Sequence, residues 1–382
     1  MAISSRILGL IAVAAVGMSV AAAPVSAAPT ADRPTGNHSP QQTSASHHNG
    51  KIVSDQNFGN AFTVNPDGSH LTFIGRQDST VCTFWSPDSS KLACNEFTDN
   101  GPEPATASPD GSYFTPLTKT RPFDLFCIYW SPSAMRLLCH SEGIPSSTDA
   151  GLYTVRSSDG GDPVRITATP AGFYDLVYGY SPDGSRILFG RFDFATNTGR
   201  LFAVGADGSH LTDLSPKSLG VVDLTFYDQV SADWSPNGTQ VAFAALDTSE
   251  KKFKAALFVV NADGSALHRI TPWDSGATSA QWAPDGRLIA FGSCCTENEV
   301  WVVRPDGSHL RAVTQSTSGT KSVAPVWSPD GKELLFGQED SEGRASLWTA
   351  KIDGSKLRKL VDVAGLTHYA WGPLAEGCRL PR

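Results

Sequence analysis

Most of this chain alternates short apolar runs with polar turn signals, and the alternation recurs in a fixed form. The stretch Val326 to Gly337 reads VWSPDGKELLFG, and variants of it appear as FWSPDSSKLAC, YWSPSAMRLLC, YSPDGSRILFG, DWSPNGTQVAFA and QWAPDGRLIAFG. In each, an apolar run ends on an aromatic residue, enters a Ser-Pro-Asp-Gly type of turn and leaves through a second apolar run. Proline presets φ, aspartate bonds its own backbone and glycine accepts positive φ, so the unit predicts a β-hairpin. The aromatic anchors are Trp85, Trp130, Tyr180, Trp234, Trp282 and Trp327, with a degraded copy at Trp371.

A second signature alternates with the first, as NPDGSHLTFIG, SPDGSYFTPLT, SSDGGDPVRIT, GADGSHLTDLS, NADGSALHRIT, RPDGSHLRAVT and KIDGSKLRKLV. It follows an apolar run such as ALFVVN and leads into a short final strand. One period therefore supplies four antiparallel strands, A to D, with tight A–B and C–D turns. Successive anchors lie 45, 50, 54, 48, 45 and 44 residues apart, the spacing of propeller blades. The repeat begins in mid-unit: Gly50–Ser54 resembles a shortened strand B, and Thr367–Trp371 offers the missing strand A. Pairing these ends closes a ring and hides sheet edges. The expected fold is all-β: a seven-bladed β-propeller of four-stranded antiparallel blades closed by its N- and C-terminal strands, with six blades as the alternative.

These repeats resemble the WD40-like (PD40) propeller repeats of the TolB family, also found in propeller domains of prolyl oligopeptidase and dipeptidyl peptidase relatives. The resemblance covers Gly50 to Pro373 and implies a propeller scaffold. TolB carries an α/β domain ahead of its propeller, whereas about twenty polar residues precede the first strand here. No G-x-S-x-G elbow occurs and little chain follows the last repeat, so the peptidases' catalysis is not expected to carry over.

The termini add a compartment. Residues 1–27 have one basic residue, Arg6, an apolar run from Ile7 to about Val20 and a small-residue end at Val25-Ser26-Ala27, the pattern of a secretory signal peptide. Residues 28–50 are rich in Pro, Ser, Thr, Asn, Gln and His, which predicts a disordered tether ahead of a propeller domain at 51–382. The expected location is secreted, or periplasmic in a Gram-negative source. Net charge is -8, and loss of Arg6 takes it to -8 - 1 = -9. That sign disfavours nucleic acid and anionic lipid as partners, and no membrane insertion is expected after cleavage.

Seven cysteines are present. Cys82 and Cys94 flank the Trp85 hairpin and Cys127 and Cys139 flank the Trp130 hairpin, each pair twelve apart and centred on the turn. Their side chains therefore face one another on adjacent strands, which predicts two disulfides in an oxidising compartment. These hairpins have also lost the Asp-Gly turn (SPDSSK, SPSAMR), so the crosslinks offset poorer turns. Cys294, Cys295 and Cys378 are left, and their pairing stays open.

With A–B and C–D turns on one face, the B–C and D–A loops occupy the other, where length and content vary and binding groups are expected. Phe123-Asp124, Phe173-Tyr174-Asp175, Phe226-Tyr227-Asp228 and Trp273-Asp274 each precede a strand A. They would ring the channel mouth and offer stacking surfaces and carboxylates to a peptide, sugar or cation. The candidate ligand-binding residues are Phe123, Asp124, Tyr174, Asp175, Tyr227, Asp228, Trp273 and Asp274; packing aromatics with capping aspartates are the competing reading. Acidic residues Glu142, Asp193, Asp247, Glu297 and Asp340 begin the B–C loops. His70, His210 and His309 recur in separate DGSH turns, and His140 and His368 alone map to the loop face. No metal or cofactor is expected from this set. The sequence points to a secreted, monomeric, noncatalytic module binding an extracellular or envelope protein, peptide or glycan through its loop face. The alternative is a propeller enzyme, a lyase or hydrolase on a polysaccharide or other extracellular substrate, with its site at the channel mouth.

Overall fold

A computed structural model describes residues 49–55, 59–118, 124–141, 148–196, 198–215, 219–221, 232–247, 254–293, 298–315, 319–365 and 368–373. Strands β1 (Ile52–Ser54), β2 (Phe62–Val64) and β3 (Thr72–Phe73) belong to blade 1. Blade 2 comprises β4 (Thr80–Trp85), β5 (Leu92–Thr98), β6 (Gly101–Ala107) and β7 (Phe114–Pro116). Blade 3 comprises β8 (Leu125–Trp130), β9 (Arg136–Ser141), β10 (Leu152–Arg156) and β11 (Val164–Arg165). Blade 4 follows with β12 (Phe173–Tyr180), β13 (Arg186–Asp193), β14 (Thr198–Gly205) and β15 (Thr212–Asp213). After the short β16 (Leu219–Val221), blade 5 is β17 (Ala232–Trp234), β18 (Gln240–Asp247), β19 (Ala255–Asn261) and β20 (His268–Arg269). Blade 6 is β21 (Gln281–Trp282), β22 (Ile289–Gly292), β23 (Val300–Val303) and β24 (Arg311–Ala312). Blade 7 is β25 (Lys321–Trp327), β26 (Glu333–Glu339), β27 (Ala345–Lys351) and β28 (Arg358–Val363). The last strand, β29 (Tyr369–Trp371), returns to blade 1, whose order is β29-β1-β2-β3. The architecture is the expected seven-bladed propeller, closed by its terminal strands.

Closure rests on three antiparallel pairs, Ile52 with Trp371, Val53 with Ala370 and Ser54 with Tyr369. The fully buried Tyr369 extends the seam into blade 7. Its hydroxyl accepts the Gly337 N–H at 2.8 Å and lies 2.9 and 2.7 Å from the carbonyls of Val323 and Ala324, where β25 bulges. The bulge opens backbone groups that the hydroxyl satisfies. Both described ends of the chain lie on the turn face: Asn49 donates to Asp330 in the blade 7 A–B turn, and Gly372 donates to the Lys51 carbonyl.

The core is a series of layers between blades. Val300 and Val302 of blade 6 pack with Trp327, Leu334 and Phe336 of blade 7, and Leu257 and Val259 of blade 5 with Trp282, Ile289 and Phe291 of blade 6. Each anchor closes such a layer. The Trp130 indole N–H donates to the Phe84 carbonyl at 3.2 Å, and that of Trp327 to the Gln281 carbonyl at 3.0 Å, each reaching the residue before the previous blade's anchor.

The turn glycines are also contacts between blades. Gly354 has φ +81, and a Cβ there would lie 2.7 Å from the Val313 carbonyl oxygen of blade 6. At Gly184 a Cβ would press within 3.3 Å of Pro132 in the preceding A–B turn. The turn aspartates are held by their own serines: the Ser355 N–H and hydroxyl donate to Asp353 at 2.9 and 2.6 Å. Hydrogen bonds from Ser108 and Ser112 push the exposed Asp110 carboxyl down to about 2.

Blades 2 and 3 lack the A–B glycine, and the structure shows what replaces it. Ser89 and Ala134 occupy the left-handed region at φ +62 and +59, which costs an L-residue roughly 1 kcal/mol. Disulfides Cys82–Cys94 and Cys127–Cys139 join directly paired residues of the same two hairpins. Blades 4 and 5 are joined differently, because β16 pairs with β14 and β18 and fuses them into one nine-stranded sheet.

Two stability predictions follow from these contacts. Replacing Cys82 and Cys94 together by Ala should cost about 2–3 kcal/mol in urea unfolding, and adding Ser89→Gly should return roughly 0.5–1 kcal/mol; no recovery would mean that the turn is unstrained. Tyr369→Phe should lose about 1–3 kcal/mol by stranding the Gly337 N–H and the carbonyl that takes the single hydroxyl proton, read as a lowered Tm with unchanged far-UV circular dichroism.

Candidate functional site

One level of the propeller is chemically individual. The residue before each anchor pairs with the equivalent position of strand B in all seven blades: Phe84 with Ala93, Tyr129 with Leu138, Gly179 with Leu188, Asp233 with Ala242, Gln281 with Ala290, Val326 with Leu335 and Ala370 with Val53. These residues form a ring on the inner strands, and where their contacts are resolved each reaches the next blade. The Phe84 ring lies tilted 4.3 Å from that of Tyr129, and the Tyr129 ring lies over Gly179, 3.6 Å from where a Cβ would stand. Asp233 Oδ2 accepts the Trp282 N–H at 2.8 Å, and Gln281 Oε1 accepts the Trp327 N–H at 3.1 Å.

The seam between blades 2 and 3 is braced by a buried side chain. Its strands A bulge between Cys82 and Phe84 and between Cys127 and Tyr129. Asn95 in β5 satisfies the backbone so exposed: its amide accepts the Cys127 N–H at 2.9 Å and donates to the Cys127 carbonyl at 2.8 Å. Toward the loop face the same strands carry an aromatic row, Phe97 5.9 Å from Phe126 and Phe126 5.5 Å from His140. Phe126 adjoins Cys127 and His140 adjoins Cys139, so the Cys127–Cys139 disulfide joins the same two strands one residue along. Phe97 and His140 are half-buried.

The expected aromatic-acid pairs have divergent surroundings. Asp124 is exposed beside the β5–β6 hairpin, within 3.7 Å of the Cβ position of Gly101. Tyr174 and Asp175 lie inside β12 rather than ahead of it, opposite Phe192 and Arg191. Tyr174 stacks on Phe192 at 5.3 Å and contacts Phe194 at 4.7 Å. Asp175 is buried, accepts from Thr167 and Thr169 of the preceding D–A loop, and pairs with Arg191 at 2.7 Å through two nitrogens. Trp273 and Asp274 form a single 3-10 turn; the Trp273 ring lies 5.5 Å from Phe258 with the Arg269 guanidinium 5.3 Å above it, and Asp274 is exposed. No hydrogen bond or ring contact joins one described pair to another. Phe123, Tyr227 and Asp228 lie outside the described residues, as do Cys294, Cys295 and Cys378 and nearly all of residues 1–50.

His70, His210 and His309 are exposed at positive φ in separate C–D turns. His368 is buried, its N–H donating to Asp55 at 2.9 Å. Asp340 pairs with Arg344 at 2.7 Å. Among the described residues no group of three or more His, Cys, Asp or Glu side chains could hold a metal ion, and no helix is long and apolar enough to cross a membrane. Phe97 lies outside the aromatic-acid pattern and carries no repeated motif, and His140, which the repeat places on the loop face, gains its aromatic neighbour only in the structure.

Comparison with known proteins agrees with this architecture. Residues 225–375 match the family model of the TolB beta propeller domain. The chain is 35% identical over 105 residues to dipeptidyl-peptidase 5 of Porphyromonas endodontalis, a match covering 27% of this chain and 15% of that enzyme. It is 26% identical over 241 residues to an uncharacterised protein of Agrobacterium fabrum, covering 60% of this chain and 73% of that protein. Among solved structures it resembles the β-propeller domain of the trilobed protease from Pyrococcus furiosus, with TM-score 0.55 and 12% identity over 82% of this chain and 93% of that one. That likeness is one of fold.

The Asp175–Arg191 pair predicts a structural phenotype. Asp175→Asn leaves a guanidinium under the blade 3 loop without its countercharge and should cost roughly 3 kcal/mol in urea unfolding. Asp274→Asn, which alters an exposed carboxylate, should stay within about 0.5 kcal/mol of wild type.

Proposed function

We propose that this protein is an exported, noncatalytic binding module that takes a protein, peptide or glycan on its loop face. The observation that carries the reading is the set of aromatic side chains held toward the loop face. On the turn face, the turn glycines, prolines and aspartates are engaged by packing between blades and by their own turn hydrogen bonds. Toward the loop face, Phe97, His140, Tyr174, Phe194 and Trp273 remain half-buried, with partly open aromatic surfaces on rigid strands or a short turn. Aromatic groups held this way offer contact area at little entropic cost, the usual requirement of a recognition surface. The two disulfides support export into an oxidising compartment, as does the signal-like sequence at residues 1–27.

The test is a glycan and peptide array probed with the full chain and two variants of matched stability. Phe97→Ala with His140→Ala should abolish capture of whatever the wild type retains, while Asp285→Asn with Arg287→Gln on the turn face should leave it intact. The opposite ranking would move the site to the turn face. Product release from captured ligands, followed by mass spectrometry, would replace the binding reading with an enzymatic one.

A further inference from the structure

Asparagine followed by glycine is a step at which a protein alters its own side chain. The glycine nitrogen, with no Cβ beside it to hinder approach, attacks the asparagine Cγ and expels ammonia. The cyclic imide so formed takes up water at either of its carbonyls and opens to aspartate or isoaspartate. The chain contains three such steps, Asn49-Gly50, Asn100-Gly101 and Asn237-Gly238. The fold holds them unequally.

Asn237 sits in the blade 5 A–B turn, where blade 4 has Asp183. Its Oδ1 accepts the Thr239 N–H at 3.1 Å and the Ser235 and Thr239 hydroxyls at 2.8 Å each. The attacking nitrogen is engaged as well, since the Gly238 N–H donates to the Ser235 carbonyl at 2.8 Å. Cyclisation here has to break the turn first. Asn49 is held through both ends of its amide: Nδ2 donates to Asp330 Oδ1 at 3.4 Å, and Oδ1 accepts the Asp330 N–H at 3.3 Å.

Asn100 lies at the tip of the hairpin between β5 and β6, in the loop closed by the Thr98–Gly101 pair. It is exposed, and among the described residues no hydrogen bond holds its side-chain amide. Its backbone N–H donates to the Thr98 hydroxyl at 3.2 Å, and that hydroxyl donates to the Gly101 carbonyl at 3.0 Å. Thr98 thus braces backbone atoms that take no part in the cyclisation. Gly101 has φ +103, a conformation that strains any residue with a Cβ, so the turn requires the glycine that makes the step reactive.

We propose that Asn100 is the deamidation site of the folded protein, and that the contacts of Asn49 and Asn237 keep those two amides intact until the chain unfolds. Conversion places a new carboxylate between the exposed Asp99 and Gly101, whose Cβ position is 3.7 Å from the Asp124 carboxyl, on the hairpin that carries Phe97. The loop face therefore grows more acidic as the protein ages. The isoaspartate product also adds a methylene to the backbone of the tip and loosens the Thr98–Gly101 pair.

The test ages the full chain in mildly alkaline buffer, folded and in urea, and follows the peptides containing Asn49, Asn100 and Asn237 by mass spectrometry. Cyclisation at Asn237 sacrifices several hydrogen bonds, so the rate at Asn100 relative to that at Asn237 should be at least about tenfold higher in the folded protein than in urea. An Asn100→Ser variant should lose the acidic form that ion exchange separates from aged wild type. A smaller ratio, an Asn100 peptide that keeps its amide in the folded protein while the urea sample converts, or an acidic form that persists in the variant overturns the assignment.

Discussion

The structure depends on the three residue pairs that join β29 to β1. Without them every other blade would still form its hairpins, but the ring would have two open edges and the inter-blade layers at the join would face water. Tyr369 shows how much is placed on this seam, since one side chain supplies the closing strand with a buried link into blade 7. The remaining blades need no such device, because chain continuity brings each beside the next.

Each seam solves the same problem with different chemistry. The bulged inner strands expose backbone amides and carbonyls that cannot be left dry and unpaired. Asn95 satisfies them between blades 2 and 3, and Gln281 and Tyr369 do so on the bulged β25 of blade 7, while between blades 5 and 6 Asp233 takes the Trp282 N–H of a strand without a bulge. Disulfides stand in the two blades whose turns lack glycine, and β16 welds blades 4 and 5. A repetitive fold thereby acquires seams closed by different chemistry. The braced seam between blades 2 and 3 supports the aromatic row.

The fold was legible because its determinants are local. Proline, aspartate and glycine at fixed offsets dictate each hairpin, and the anchor spacing dictates the blade count, so the seven blades, the pairing of Ser54 with the Tyr369 strand and the two disulfides could all be read from residue order. The site was legible only as a face. Tyr174 and Asp175 look like neighbours of Trp273 and Asp274 by pattern, yet the first acid is bound to Arg191 inside a strand while the second is exposed on a 3-10 turn. That difference comes from Arg191 on the paired strand and from Thr167 and Thr169 of the preceding blade, and neither is encoded within the motif.

The sequence by itself determined the propeller, its closure and the cysteine pairs in blades 2 and 3, because backbone conformation and strand alternation act over a few residues. Only the tertiary structure decided which side chains are spent on packing and which stay partly open. It brought Phe97, Phe126 and His140 into one row and put Asp233 against the Trp282 amide, almost fifty residues away. Burial, hydrogen-bond satisfaction and the loss of solvation are properties of neighbours across a seam, and the chain acquires those neighbours only when the ring closes.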